Sequence, residues 1–277
     1  MPLILFALVS LGCGWFGRAV IDGLPAMLPP EGTPGQLIWI LSPALLAAVL
    51  RRRDPHTQAL RPFQLNRESL RLALIVSLVA ATAVLSVIGL GLLGGALHLA
   101  TAPTAAPPAP PASWLALGVP ILLFALLEES AWRGYLLPAL QARCGPALTW
   151  GIGSVIWFGW HVPYLDALTR YTAEPLTTLA PRIALGLMVM QGLYTVLWQR
   201  RASVWPAFAL HGTINLVAQA AIALGVTLSA STWSWWASPS ADGGLVIGLC
   251  AVFAGVLARS STHSSSTRES LTTRRRW

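Results

Sequence analysis

Long apolar runs separated by short arginine-bearing loops are the feature that most restricts how this chain can fold. A helix that crosses a bilayer needs about 20 mostly apolar residues. Only 10% of the 277 residues are charged, against about 25% in a soluble domain. The sequence therefore predicts an all-α, polytopic bundle of about eight transmembrane helices, of which the second and last are short, near 2–21, 34–50, 70–97, 114–140, 147–164, 183–199, 203–226 and 244–258.

The arginines predict how this bundle is oriented. All 18 basic residues are Arg, against ten acidic residues. With a cytoplasmic N-terminus, 14 Arg fall in cytoplasmic loops and the C-terminal tail, whereas only Arg170 and Arg182 fall in external loops. This distribution satisfies the positive-inside rule and predicts that both termini are cytoplasmic. The formal charge of +8 is then a result of membrane topology, and we expect no nucleic-acid partner.

Composition divides the chain into four parts. We predict an N-terminal three-helix membrane region over 1–100, a Pro/Ala-rich external linker over 101–113, a second membrane core over 114–258 and a disordered, basic cytoplasmic tail over 259–277. The linker prediction follows from its proline content, which disfavours a helix. We expect a multi-pass protein of the bacterial plasma membrane, with the lipid bilayer as its surroundings.

Two carboxylates inside the fourth span are the acidic residues that solvation does not explain. Glu128 and Glu129 lie in an apolar run with Arg133 one turn later, and each ionisable group at this depth costs about 3 kcal/mol. Glu129 and Arg133 are spaced i and i+4, which predicts a structural ion pair. Glu128 has no such partner in its own helix and is the better candidate for a general base. The alternative is a buried salt bridge that only fixes helix packing.

Histidines in two other spans favour a catalytic interpretation. His161 lies late in the fifth span, and His211 lies in the seventh with Asn215 four residues later on the same helix face. A carboxylate, two imidazoles and an amide provide a base, an acid and an oxyanion donor for amide hydrolysis by water. A metal such as Zn²⁺ could instead be held by Glu128, His161 and His211, with Asn215 nearby, although no HExxH motif is present.

These residues together resemble the CPBP family of intramembrane proteases, which includes CAAX proteases and bacteriocin-processing enzymes. The family pattern is EExxxR, FxxxH and HxxxN or HxxxD on successive membrane helices. The chain has Glu128-Glu129-Ser-Ala-Trp-Arg133 and His211-Gly-Thr-Ile-Asn215, and its second motif has Trp157 where Phe is commoner, followed by His161. The match covers about residues 114–226, and three motifs in order are a specific signal.

The resemblance implies a membrane-embedded endopeptidase in which Glu128 and His161 activate water while His211 and Asn215 stabilise the oxyanion. The candidate catalytic residues are therefore Glu128, Glu129, His161, His211 and Asn215, with Arg133 as the structural ion-pair partner. It also implies cleavage near the cytoplasmic side of the membrane, in a membrane peptide or protein that is lipidated in the best-known cases. Two other classes stay open: a catalytically silent membrane scaffold or immunity protein of the same family, and a proton-coupled transporter. The absence of an inverted repeat in the sequence disfavours the transporter.

Overall fold

The protein is a bundle of helices, as the composition predicts. The computed structural model describes residues 1–24, 32–99, 111–168, 172, 174–229 and 234–274, without the side chains of 111–114, 168 and 260–274. The helices are α1 (Pro2–Phe16), α2 (Pro34–Arg53), α3 (Arg67–Leu93), α4 (Pro111–Ala131), α5 (Leu137–Gln141), α6 (Pro146–His161), α7 (Leu165–Leu168), α8 (Leu176–Arg201), α9 (Trp205–Ala223) and α10 (Gly244–Arg274).

Shorter elements join or extend these helices. A π-helical turn, Gly17–Ile21, prolongs α1, and a second one, Trp132–Leu136, joins α4 to α5. Turns of 3₁₀ helix occur at Val162–Tyr164 and Ser234–Ala237. Strands β1 (Leu97–Leu99) and β2 (Val226–Leu228) form an antiparallel ribbon in which His98 is opposite Thr227. The ribbon ties the end of α3 to the end of α9.

Local sequence signals explain where several helices begin. Thr33 accepts a hydrogen bond from the Gln36 backbone N–H, and the Gln36 side chain accepts one from the Thr33 backbone N–H, which is a capping box. Asn66 caps α3 by accepting from the Ser69 backbone N–H. Proline in the first turn of α1, α2 and α6 fits positions where the backbone N–H needs no helical partner.

Among the described residues, five helices are long and apolar enough to cross a membrane: Pro2–Ile21, Pro34–Arg53, Arg67–Leu93, Leu115–Gln141 and Leu176–Arg201. A shorter apolar helix covers Gly244–Arg259. Helices α6 and α9 have 16 and 19 residues, so each is about 24–28 Å long at 1.5 Å per residue. The all-α membrane bundle is confirmed, while the number of crossings and the side of each terminus stay predictions.

Two segments differ from the predicted domain division. Helix α4 begins at Pro111, so the last three residues of the predicted linker are helical, because proline is tolerated in a first helical turn; residues 101–110 lie outside the described part of the chain. Helix α10 continues to Arg274, where the sequence predicts a disordered tail from 259. Residues 259–274 contain no Gly or Pro that would end the helix. The other domain boundaries stay predictions.

The helix ends that carry most of the arginines meet on one side of the bundle, which we call the arginine-rich end. There, Arg143 donates two hydrogen bonds of 2.8 Å to the buried carboxylate of Asp54, and the Tyr135 hydroxyl donates to the same group at 3.2 Å. Burial works to raise the pKa of Asp54, but these donors and the backbone N–H of His56 outweigh it and lower the pKa below its usual value. Asp54 therefore fastens the end of α2 to the π-helical turn Trp132–Leu136 and to the loop between α5 and α6.

The other side of the bundle, which we call the opposite end, is tied together by different groups. Asp22 accepts hydrogen bonds from the Tyr164 hydroxyl at 2.8 Å and from the Gly35 backbone N–H at 3.0 Å. Deeper between α2 and α6, the indoles of Trp39 and Trp160 stack at 4.3 Å, and each donates to the backbone carbonyl of the other. These contacts hold α2 against α6 beside the predicted site.

Candidate active site

The two glutamates lie in the last turn of α4, immediately before the π-helical turn. Both side chains are buried, and so is Arg133 in the turn that follows. A π-helical turn inside an α-helix is rare and often occurs at functional sites. Here it follows directly after the two carboxylates that the apolar surroundings make costly.

One carboxylate oxygen of Glu128 accepts hydrogen bonds from two indoles, and the other accepts none from a described residue. Its Oε2 accepts hydrogen bonds from Trp132 Nε1 at 3.0 Å and from Trp157 Nε1 at 2.7 Å. Glu128 thus has a hydrogen-bond donor at i+4, Trp132, although not an ion-pair partner of the kind that Glu129 has in Arg133. Its Oε1 makes no hydrogen bond to a described residue and lies 3.9 Å from His211 Nε2.

Glu129 belongs to a chain of polar contacts that runs across three helices. Its Oε1 accepts from Arg133 Nη1 at 3.1 Å and from His211 Nδ1 at 3.0 Å. Arg133 Nη2 in turn donates to Gln191 Oε1 of α8 at 3.0 Å. The guanidinium also lies over the rings of Trp157 and Tyr194, at 4.4 and 4.0 Å. The ion pair that the i and i+4 spacing predicts is thus present, and it is completely buried.

The acceptors beside the two histidines fix which ring nitrogen carries a proton. His161 Nδ1 lies 2.8 Å from the Trp157 carbonyl oxygen, and since a carbonyl only accepts, Nδ1 is the donor. His161 Nε2 is then the basic nitrogen of the neutral ring. His211 Nδ1 likewise donates to the Glu129 carboxylate, which leaves Nε2 directed toward Glu128.

A single apolar cavity of about 520 Å³ connects these groups. Glu128, His161, His211 and Asn215 all line it, and the rest of its wall is mainly leucine, isoleucine and aromatic side chains from α2, α4, α6, α8 and α9. Asn215 is half-buried and its amide makes no hydrogen bond to another described residue, so its N–H donors are available. The structure thus brings together four of the predicted residues at one surface, with Glu129 and Arg133 directly behind them.

A family model described as "Type II CAAX prenyl endopeptidase Rce1-like" matches residues 110–217. This segment is therefore similar to the CPBP family of CAAX proteases, which the three sequence motifs also resemble. No curated protein matches the sequence significantly. The matched CPBP segment contains every motif residue from Glu128 to Asn215, and it includes α4 through most of α9. With five long apolar helices among the described residues, the chain is an integral membrane protein that contains a segment similar to CAAX endopeptidases.

The potential metal ligands of the CPBP site are not arranged as a metal centre. Among the residues that the structure describes, no three His, Cys, Asp or Glu side chains are placed to hold an ion together. Glu128 has also committed Oε2 to two indole N–H groups. The set Glu128, His161 and His211 that the sequence offers for Zn²⁺ is therefore not a preformed zinc site, and we derive no step from a metal.

Three further residues of the CPBP site have no place in the sequence prediction. Trp132 is spaced i+4 from Glu128, so the rule that pairs Glu129 with Arg133 would have found it. Gln191 and Tyr194 lie on α8, outside the three motifs, and Gln191 is the amide within the apolar run LGLMVMQGLY. The Tyr194 hydroxyl is buried without a hydrogen-bond partner among the described residues. The amide of Gln191 in an apolar membrane helix is the signal in the sequence that could have pointed to α8.

Proposed function

We propose that this protein is an intramembrane endopeptidase that hydrolyses a peptide bond with water activated by Glu128 and His161. The observation that carries the proposal is the convergence of Glu128, His161, His211 and Asn215 on one apolar cavity, within a segment that matches a CAAX endopeptidase family. We further propose that it is a multi-pass protein of the bacterial plasma membrane.

Glu128 is the general base of this mechanism. The two indoles fix Oε2, so Oε1 is the oxygen that receives the proton of water. His161 Nε2 accepts a hydrogen bond from the same water and orients its lone pair toward the substrate carbonyl carbon. The water oxygen bonds to that carbon, its proton moves to Glu128 Oε1, and the carbonyl oxygen becomes an oxyanion.

His211 and Asn215 stabilise the oxyanion. A protonated His211 ring donates Nδ1–H to Glu129 and presents Nε2–H to the cavity, while Asn215, one helical turn away, presents its amide N–H. Donors aimed at a developing charge in a water-poor site are worth several kcal/mol. Protonated His211 and Arg133 also balance the two buried carboxylates, so the site carries no uncompensated charge.

Collapse of the tetrahedral intermediate completes the reaction. The carbon–nitrogen bond breaks, and Glu128 returns the proton to the leaving amine. Glu129 is not among the residues that line the cavity, and its Oε1 accepts hydrogen bonds from Arg133 and His211. It acts by fixing the orientation and charge of His211, and Arg133 and Gln191 hold Glu129 in turn.

The wall of the cavity favours an apolar substrate segment. Two peptide classes should be assayed together: prenylated CAAX peptides, which the family description names, and unlipidated peptides from membrane-protein segments. Purified protein in lipid nanodiscs is incubated with each class, and the products are identified by mass spectrometry. We expect cleavage by the parent and none by Glu128→Gln, His161→Ala or His211→Ala.

Matched controls come from residues far from the cavity. Glu68 and His56 are exposed, so Glu68→Gln and His56→Ala should cleave as the parent does. A chelator in a parallel reaction reports whether hydrolysis depends on a metal ion. If the parent cleaves no peptide, or if the three site variants cleave as fast as the controls, the protease mechanism is refuted and the silent-scaffold alternative is favoured.

A further inference from the structure

Charge divides the two ends of the bundle sharply. Among the described side chains, the opposite end carries two Arg against four acidic residues, namely Arg18 and Arg182 against Asp22, Asp166, Glu174 and Asp242. The arginine-rich end carries two acidic residues, Asp54 and Glu68, against ten Arg at positions 51, 52, 53, 61, 67, 71, 143, 200, 201 and 259. By the positive-inside rule, such an asymmetry predicts that the arginine-rich end faces the cytoplasm.

Contacts between elements show that these arginines form one face. The Val204 backbone N–H donates to the Pro62 carbonyl at 2.9 Å, and Trp205 Nε1 donates to the Phe63 carbonyl at 3.0 Å. Arg201 pairs with Glu68 at 3.3 Å. The loop between α2 and α3 is thereby folded against the start of α9, and the start of α3 against the end of α8.

A plug of packed residues separates the candidate active site from this face. The ten consecutive residues Ala131–Leu140 are all buried, as are Leu197 of α8 and Ala207 of α9 at the same level. A Cβ at Gly134 would lie 3.5 Å from the Phe63 ring, so the loop packs directly beneath the plug. Beyond it, Asp54 is locked to Tyr135 and Arg143.

On every helix that lines it, the cavity extends away from the arginine-rich end. On α4 its lining residues run from Pro120 to Glu128, and on α8 from Ile183 to Tyr194, both of them away from the arginine-rich end. On α9 they begin at His211 and end at the exposed Gln219, about 12 Å farther along the helix. Ser240, in the loop before α10, also lines the cavity.

We propose that the active site receives both water and substrate from the extracytoplasmic side of the membrane. This inference rests on the proposed function and deepens it, because it restricts the substrate to the extracytoplasmic or membrane-embedded part of a membrane protein. It differs from the cytoplasmic cleavage that the family resemblance implies. A carboxyl-terminal CAAX peptide in the cytoplasm would face the closed plug.

Cysteine labelling tests this without requiring activity. Gln219 and Gln64 are both exposed and lie at the cavity mouth and in the arginine-rich loop, respectively. The variants Gln219→Cys and Gln64→Cys are made in a Cys144→Ser background, in which the remaining Cys13 and Cys250 are buried. Spheroplasts are treated with a sulfonated maleimide that does not cross membranes, with and without permeabilisation.

We expect the thiol at position 219 to be labelled to the same extent in intact and permeabilised spheroplasts, and the thiol at position 64 only after permeabilisation. Labelling at 219 only after permeabilisation, no labelling at 219 at all, or labelling at 64 in intact spheroplasts would each overturn the inference. Loss of the proposed proteolysis would leave these labelling patterns unchanged, so the two proposals fail separately.

Discussion

Replacing Arg133 with Met tests whether the buried carboxylate of Glu129 is charged and whether the fold depends on Arg133 to compensate that charge. The side chains of Glu129 and Arg133 are both completely buried, with Oε1 and Nη1 3.1 Å apart, and Arg133 also donates a hydrogen bond to Gln191. Arg133→Met leaves Glu129 with His211 as its remaining hydrogen-bond donor. Removing one partner of a buried pair costs about 3–5 kcal/mol, which for a chain of this size lowers the melting temperature by roughly 6–20 °C.

The assay is thermal unfolding in a mild detergent with a dye that fluoresces on reaction with thiols, because the buried Cys13 and Cys250 become reactive on unfolding. Arg201→Met is the matched control, since Arg201 pairs with Glu68 in a contact that is 40% and 72% exposed. Such exposed pairs contribute about 0–1 kcal/mol. The double variant Glu129→Gln/Arg133→Met should recover much of the loss, because no unpaired charge stays buried.

If Arg133→Met lowers the free energy of unfolding by no more than about 1 kcal/mol, as the control Arg201→Met should, this reasoning is refuted. It would mean that Glu129 is neutral in the folded protein or that solvent reaches it. A double variant no more stable than Arg133→Met would instead show that the loss comes from the cation–π packing on Trp157 and Tyr194, not from the stranded carboxylate.

Three further changes probe other parts of the molecule. Trp157→Phe keeps an aromatic side chain but removes the 2.7 Å hydrogen bond to Glu128. A hydrogen bond to a charged group is worth about 1.5–3 kcal/mol, so kcat/KM should fall roughly ten- to a hundredfold; an unchanged value would show that this indole does not fix the base. Asn215→Ala should lower kcat by about 10²–10³ with little change in KM, as expected for one oxyanion donor, whereas a change confined to KM would indicate substrate binding instead. The lowered pKa of Asp54 means that its contribution to stability is complete above its unfolded pKa of about 4 and is lost as the pH falls through the lower folded value; unfolding measured from neutral to acidic pH should show Asp54→Asn less stable at neutral pH and less sensitive to acid, and parallel curves for the two proteins would contradict this.

Helical spacing in the sequence predicts the contacts of the site that lie within one helix. The pair Glu129 and Arg133, and the pair His211 and Asn215, are each four residues apart, and a helix places such residues on one face whatever the rest of the fold does. The apolar runs likewise predict the helices, because the length needed to cross a membrane is set by the bilayer. These features need no knowledge of tertiary contacts.

Contacts between elements could not be derived in this way. The indole of Trp157 reaches Glu128 across 29 residues, and Gln191 reaches Arg133 across 58, so both depend on how α6 and α8 pack against α4. The β1–β2 ribbon joins segments about 130 residues apart, and three-residue strands leave no readable alternation. Which end of the bundle the cavity extends toward also depends on how the helices pack.

The π-helical turn Trp132–Leu136 has a consequence for comparing this protein with its relatives. It follows the two carboxylates and contains Tyr135, and a π-helical turn holds one residue more than an α-helical one. Deleting one residue there would rotate everything that follows by about 100°, and Tyr135 and Arg143 would no longer reach Asp54. In an alignment, a gap within this turn should therefore be weighed as heavily as the loss of a glutamate, even when all three motifs are intact.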